Sequence, residues 1–396
     1  MTAAANQRVV VTGCGALSPL GMTAADLVAG VAAGRSGIRR MPRAVQMGLP
    51  VTTAGEVEGL PLDTPERELE MSRRPLAEAL AQSGLAPGRA AFVWTTGLDT
   101  FRDEGEAPVA TSAGARFATL ARDFGGPRRM IATACSAATQ AIGEAFHLVR
   151  RGGAAAAVAG GATTMVTPFY LVGFSWLQVL ALDPEHDDGD GGDDPARACR
   201  PFDRERRGFA LAEGGAALVL EPLAAARARG APILAEIVGF GTSQDAHDLN
   251  RPPPDGAAAE LCMRRALDDA GLTPDAIGAV NAHATGTRAG DPAEAAALRR
   301  LLGARWQRTP VSSAKGALGH AISAAGALEA IVAISSSRTG VVPPTTNLRQ
   351  PDDDCALDHV VGVARTVAPG PVLSCSFGMG GQNAALIFAP PPVANT

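Results

Sequence analysis

The apolar positions of this chain come mostly in short unbroken runs instead of strict alternation, the pattern of strands covered on both faces. "RVVVTGCG" near the N-terminus reads as one such strand ending in glycines, and "AAFVW", "AAAAVAGGAT", "GGAALVLEPL" and "ILAEIVGFG" read as four more. "IGAVNAHATGT" is a strand feeding a loop, and "PVLSCSFGMGGQNAALIFAP" places a glycine loop between two strands. Alanine-rich segments between them, among them residues 26–33 and 74–83, read as helices. Strands alternating with helices predict an α/β fold.

A faint internal echo divides the chain. "VVVTGCG" at 9–15 and "EIVGFG" at 236–241 each set a strand against a Gly-x-Gly turn, with comparable lengths of α/β sequence following. This predicts two related halves, 1–232 and 233–396. "TGCG" invites a dinucleotide-binding reading, but the third glycine and the acidic partner of that fingerprint are absent. The acidic run "DPEHDDGDGGDDP" at 183–195 misses the spacing of a calcium loop and reads as a solvated surface loop.

Composition narrows the class. The chain has 396 residues, 46 % hydrophobic, and a net charge of -5, enough for a large core and unlike a nucleic-acid binder. The start "MTAAANQRVVVTG" has no basic segment leading an apolar core, and no apolar stretch is long enough to span a membrane. Six cysteines at 14, 135, 199, 262, 355 and 375 form no C-x-x-C pair and no zinc spacing, so free thiols in a reducing cytoplasm are expected.

Candidate chemistry gathers at four residues. Of the 35 Lys plus Arg, Lys315 is the single lysine. It stands in "VSSAKGALGHAISAAGALEAI" among small residues that suit a buried site, where a compact ammonium does what a planar guanidinium cannot. His320 follows in the same stretch. Cys135, in "IATACSAATQ", sits between a short strand and a helix start, where free amides and the dipole lower a thiol pKa. His283, in "VNAHATGTRAGDP", follows a strand with Thr285, Thr287 and Asp291 beside it. A cysteine with two histidines fits acyl transfer plus a second charge to stabilise, such as an enolate. The histidines lack the spacing of a metal site.

These motifs, with "CRPFDRERRGFALAEGGAALVLE" and "SFGMGGQNAALIF", resemble the elongating β-ketoacyl-acyl carrier protein synthases of the thiolase superfamily over nearly the whole chain. The resemblance implies a layered α-β-α-β-α sandwich of two pseudo-duplicated halves. It makes Cys135 the acyl-accepting nucleophile, and His283 and His320 the donors to the malonyl thioester carbonyl. Lys315 would position His320, with Glu213 of "LAEGG" as its partner. The amides of Cys135 and Met379 would form the oxyanion hole, with Phe377 and Met379 at the gate. Thr285, Thr287, Gly380, Gly381 and Asn383 would line the substrate path. The enzyme would bind no cofactor of its own, since phosphopantetheine arrives on the acyl carrier protein. Carrier docking would use surface arginines such as Arg73, Arg129, Arg206 and Arg207, and the molecule would work as a homodimer or beside a chain-length-factor-like subunit.

The chain departs from the family pattern at three single positions and in one segment. Met379 stands where phenylalanine is usual, Gln382 replaces a threonine, and Ala284 replaces a glycine. The segment 97–126 is shorter than its counterparts, which points to specialised polyketide or polyene synthesis at least as much as to fatty-acid synthesis. The alternatives are a non-elongating acyltransferase or thiolase, and a partner subunit without its own turnover.

Overall fold

The computed structural model describes residues 6–60, 67–97, 100–103, 108–182 and 194–393. The acidic run, apart from its last two residues, lies outside these, as do the side chains of 98–111 in the shortened segment. Among the described residues, no helix is long and apolar enough to cross a membrane.

Eleven strands make the main sheet: β1 (Val9–Leu17), β2 (Ala91–Thr95), β3 (Arg128–Met130), β4 (Ala157–Thr163), β5 (Gly214–Pro222), β6 (Ala235–Gln244), β7 (Ala279–Asn281), β8 (Pro310–Ser312), β9 (Asp358–His359), β10 (Val372–Phe377) and β11 (Gln382–Ala389). Their order is β9-β8-β7-β10-β11-β6-β1-β5-β4-β2-β3. The order repeats outward from its middle. On one side β1, β5 and β4 are antiparallel and β4, β2 and β3 parallel. On the other side β6, β11 and β10 are antiparallel and β10, β7 and β8 parallel. The two sides join through a short antiparallel β1–β6 contact in which Val9 faces Ile237.

Helices α1 (Arg67–Ser83), α2 (Ala137–Arg150), α3 (Ala257–Ala270), α4 (Gly290–Leu302) and α5 (Ala325–Thr339) complete the layers. α2 and α5 pack on each other and on strands of both sides, so they form the middle layer. α1 covers β1 and β5 from one outside, and α3, with α4 against it, covers β6 and β11 from the other. This is the thiolase-like α/β arrangement. Its middle layer explains the alanine-rich pattern: α5 is buried around almost its whole circumference and therefore has no polar face.

The glycines of the echoed strands also find a reason. A side chain at Gly13 would fall 2.1 Å from the carbonyl oxygen of Ala79, and one at Gly15 2.1 Å from that of Pro75. On the other side, Gly239 and Gly241 meet the carbonyls of Ala266 and Cys262 at 2.1 and 2.2 Å. In both halves the Gly-x-Gly pair lets an outer helix lie directly on the strand. α1 begins seven residues before the predicted start at 74, continuing through Pro75. The Met71 carbonyl, which Pro75 cannot serve with an N–H, lies against Gly215, where a Cβ would fall 2.3 Å away.

Candidate active site

Cys135 lies in a tight turn, Ala134–Ser136, that leads from β3 into α2. Ala134 is left-handed at φ +48, a conformation costing about 1–2 kcal/mol for a residue with a Cβ. The turn brings Cys135 to the lining of a cleft while leaving the residue only 3 % exposed. Burial pushes its thiol up to about 11, against the backbone amides of Met379 and of Cys135 itself and the charge of Lys315, which all pull it down. The helix start and amides expected to lower this thiol are present, but loss of hydration outweighs them.

His283 follows β7, and its loop is held from below by two buried carboxyls near the start of α4. Glu294 accepts from the amides of His283 and Ala284 at 2.8 and 2.7 Å, and Asp291 from that of Gly286 at 3.0 Å. Burial raises Asp291 to about 6 and Glu294 to about 7. His320 is fixed by its backbone, which bonds to Ala210 and Ala212 at 2.8 and 2.9 Å. The imidazoles stand nearly perpendicular, their centroids 5.4 Å apart. Phe209 packs on His320 and Phe377 on His283.

The electrostatics of the pair follow from this packing. Burial drives both histidines well below their ordinary pKa, and the Lys315 charge adds to the effect. Both are therefore neutral near pH 7, each with one N–H to donate. His283 Nδ1 and both nitrogens of His320 are buried without a hydrogen-bond partner.

The partner expected for Lys315 is corrected. Glu213 is buried against Arg67 and accepts from the amide of Val57 at 2.9 Å. Lys315 instead pairs with Glu329 in α5, and both side chains are almost wholly buried. Glu329 is the single acid in the apolar run "AAGALEAIVAI", an isolation that would have marked it from sequence. Glu294 and Phe209 were also missed; no local signal separates them from ordinary helix and core residues.

Thr285, Thr287, Phe377, Met379, Gly380, Gly381 and Asn383 line the cleft with Cys135, His283 and His320. Asn383 is steadied by Asp245 at 2.6 Å. The four docking arginines do not line it. Arg206 is buried and bonds Asp352 at 2.5 Å, so it offers no docking charge. Arg73 pairs with Glu70 on outer helix α1, Arg129 with Glu144 beside edge strand β3, and Arg207 is exposed. The arginine at the cleft is Arg251.

Known proteins bear on this arrangement. Residues 99–226 match the β-ketoacyl synthase N-terminal domain and residues 234–349 the β-ketoacyl synthase C-terminal domain. The chain is 34 % identical to a 3-oxoacyl-acyl-carrier-protein synthase 2 of Coxiella burnetii, over 97 % of this chain and 98 % of that protein. To the synthase of the same name from Synechocystis it is 35 % identical over 96 % and 98 %. Among solved structures it superposes on a β-ketoacyl synthase from Burkholderia phymatum with TM-score 0.83 at 32 % identity, covering 98 % of this chain and 100 % of that one. It superposes on the ishigamide ketosynthase/chain length factor with TM-score 0.85 at 31 % identity, with the same coverage. A ketosynthase complex, a type II polyketide acyl-carrier protein with its ketosynthase bound to the hexaketide, gives TM-score 0.88 at 26 % identity, again over 98 % and 100 %. By these matches, which together span both the N- and C-terminal parts of the chain, the protein belongs to the β-ketoacyl synthase family.

Proposed function

We propose that this protein condenses an acyl chain held on Cys135 with malonyl-acyl carrier protein, with loss of carbon dioxide. The observation that carries the reading is one cleft holding a thiol, two amides directed at its sulfur, and two neutral imidazoles with unpaired nitrogens. In this reading the half up to residue 232 supplies the nucleophile, and the half from 233 the histidines and lysine.

The steps follow from those groups. Cys135 Sγ attacks the thioester of the incoming acyl carrier; the C–S bond to phosphopantetheine breaks, and the departing thiolate takes the cysteine's proton. Because burial holds the thiol near 11, that proton transfer accompanies attack instead of preceding it. The malonyl thioester then places its carbonyl oxygen against the N–H groups of His283 and His320. The bond to the carboxylate breaks, carbon dioxide leaves, and its electron pair becomes an enolate held by two neutral donors. The enolate carbon attacks the acyl-Cys135 carbonyl, and the oxyanion accepts from the amides of Cys135 and Met379. Collapse expels the Cys135 thiolate, which takes a proton from solvent, since its original proton left on the phosphopantetheine thiol. Burial keeps the histidines uncharged, the positive charge of Lys315 adds to that effect, and the Lys315–Glu329 pair ties the turn before His320 to α5.

The wider reading has its own supports. Phosphopantetheine enters on the carrier, past Thr285 and Thr287, so the enzyme needs no resident cofactor. Met379, a flexible thioether, stands where the gate meets Cys135 and suits varied chains. With the likeness to the polyketide and ishigamide ketosynthases, this supports specialised polyketide or polyene assembly, as a homodimer or with a chain-length-factor-like subunit. Intact-mass measurement after adding acyl-carrier substrates, then malonyl-carrier, tests the core claim. An adduct on Cys135 consumed with release of carbon dioxide is expected. An adduct that persists points to an acyltransferase, and no adduct with any chain overturns the assignment.

A further inference from the structure

Among the large apolar side chains exposed on the described residues, one group stands at the cleft. Trp176 is 83 % exposed, Leu177 44 % and Leu249 80 %, although most large apolar side chains of the protein are buried. The three belong together: Asn250 Nδ2 donates to the carbonyl of Leu177 at 3.3 Å, tying the segment after Trp176 to the one that begins at Leu249. Val179 and Leu249 also line the cleft, so this apolar lip is continuous with its mouth. An apolar cluster left open at the mouth of a site marks a docking surface.

We propose that the lip of Trp176, Leu177 and Leu249 is the seat of the acyl carrier protein, which is gripped by apolar contact in place of the arginine cluster expected from sequence. The inference rests on the condensing reading of the cleft. Three observations choose this occupant. A carrier must stand over the mouth, because its substrate hangs from an arm that reaches Cys135. The rim carries cations that suit an anionic arm: Arg251 is exposed with no ion-pair partner among the described residues, and Arg288 is exposed next to cleft-lining Thr287. Two acids share this rim and keep their charge: Asp248 accepts from the amides of Asn250 and Arg251, and Asp245 from Asn383 Nδ2. Of the four arginines expected to dock the carrier, one is buried and two are already paired on other elements.

Trp176 does not line the cleft, so its role is separable from chemistry. Trp176→Ala and Trp176→Asp are compared with the wild type on malonyl- and acyl-carrier substrates, and on carrier-free N-acetylcysteamine thioesters of the same acyl groups. The expected result is a rise in KM for the carrier substrates of at least about 10-fold, as for an aromatic anchor at an interface. Turnover of the carrier-free thioesters is unchanged, and Trp176→Phe restores most of the loss. Leu261→Ala, a change at an exposed leucine on outer helix α3, leaves both activities alone. Equal loss on carrier-bound and carrier-free substrates overturns the proposal, as does no loss on either. A change from dimer to monomer in light scattering of Trp176→Asp also overturns it and assigns the lip to a second copy of the chain. A wild type that turns over neither substrate class defeats the condensing reading itself, a result distinct from all of these.

Discussion

Replacing Lys315 with methionine isolates the pair at the centre of the site. The substitution keeps the length of the side chain and removes its charge, leaving Glu329 buried with one oxygen unpartnered already and the other newly so. Burial raises the carboxyl of Glu329, and the Lys315 ammonium offsets part of that rise. Without the ammonium the carboxyl must enter the fold protonated. A folded-state pKa raised above the unfolded value gives stability that is present below the unfolded pKa and lost as pH rises. The unfolded carboxyl titrates near about 4.3, so protonating it at pH 7 costs up to about 2.7 pH units at ~1.36 kcal/mol each, or about 3.7 kcal/mol. Denaturant unfolding of wild type and Lys315→Met at pH 4 to 8 measures the difference. It is expected to be small at pH 4 and to widen by up to about 1.4 kcal/mol per pH unit once the wild-type carboxyl ionises. Lys315→Met combined with Glu329→Gln removes the slope. A difference that stays constant with pH, or a slope that survives the double substitution, refutes the pairing.

Alkylation of Cys135 by iodoacetamide, followed by peptide mass spectrometry, should rise close to tenfold per pH unit through pH 9, because the thiol is held near 11 by burial; a plateau below pH 8 contradicts this. Gly326→Ala puts a Cβ 2.0 Å from Thr139 Oγ1, where α5 meets α2, and should cost about 1–3 kcal/mol, seen as a lowered Tm in calorimetry. Gly173→Ala, with nothing within 4 Å of its Cβ, is the neutral control. Asp269 bonds Arg150 and the amide of Phe240, lies beside His147, and is held at about 2, although burial alone would raise it. A depressed carboxyl contributes above its unfolded pKa and loses that contribution as pH falls through 2. Asp269→Asn should therefore lower Tm at pH 7, by an amount that shrinks steadily as pH falls from 4 toward 2.

Much of the site was legible because its chemistry is local. Cys135, His283, Lys315 and His320 sit in small-residue turns after strands, and such turns are needed wherever a side chain must reach a substrate in a packed interior. The cleft does collect Cys135, His283 and His320, and the charge of Lys315 acts on the thiol and on the histidines. The burial of Arg206 was not legible, since it reads like any surface charge until Asp352 is brought against it from 146 residues away. The sign of the thiol shift also escaped sequence. A helix start is visible in the residues, whereas the burial that outweighs it belongs to the assembled layers.

By itself, then, the sequence determined the alternation of strands and helices and pointed to the family, because these depend on side-chain type and spacing along the chain. The tertiary structure decided who pairs with whom. Glu329, not Glu213, meets Lys315, because α5 threads the middle layer while Glu213 is turned to Arg67. It also decided what the Gly-x-Gly pairs are for. Their missing side chains admit the carbonyls of α1 and α3, a contact set by the packing of layers that no spacing along one chain records.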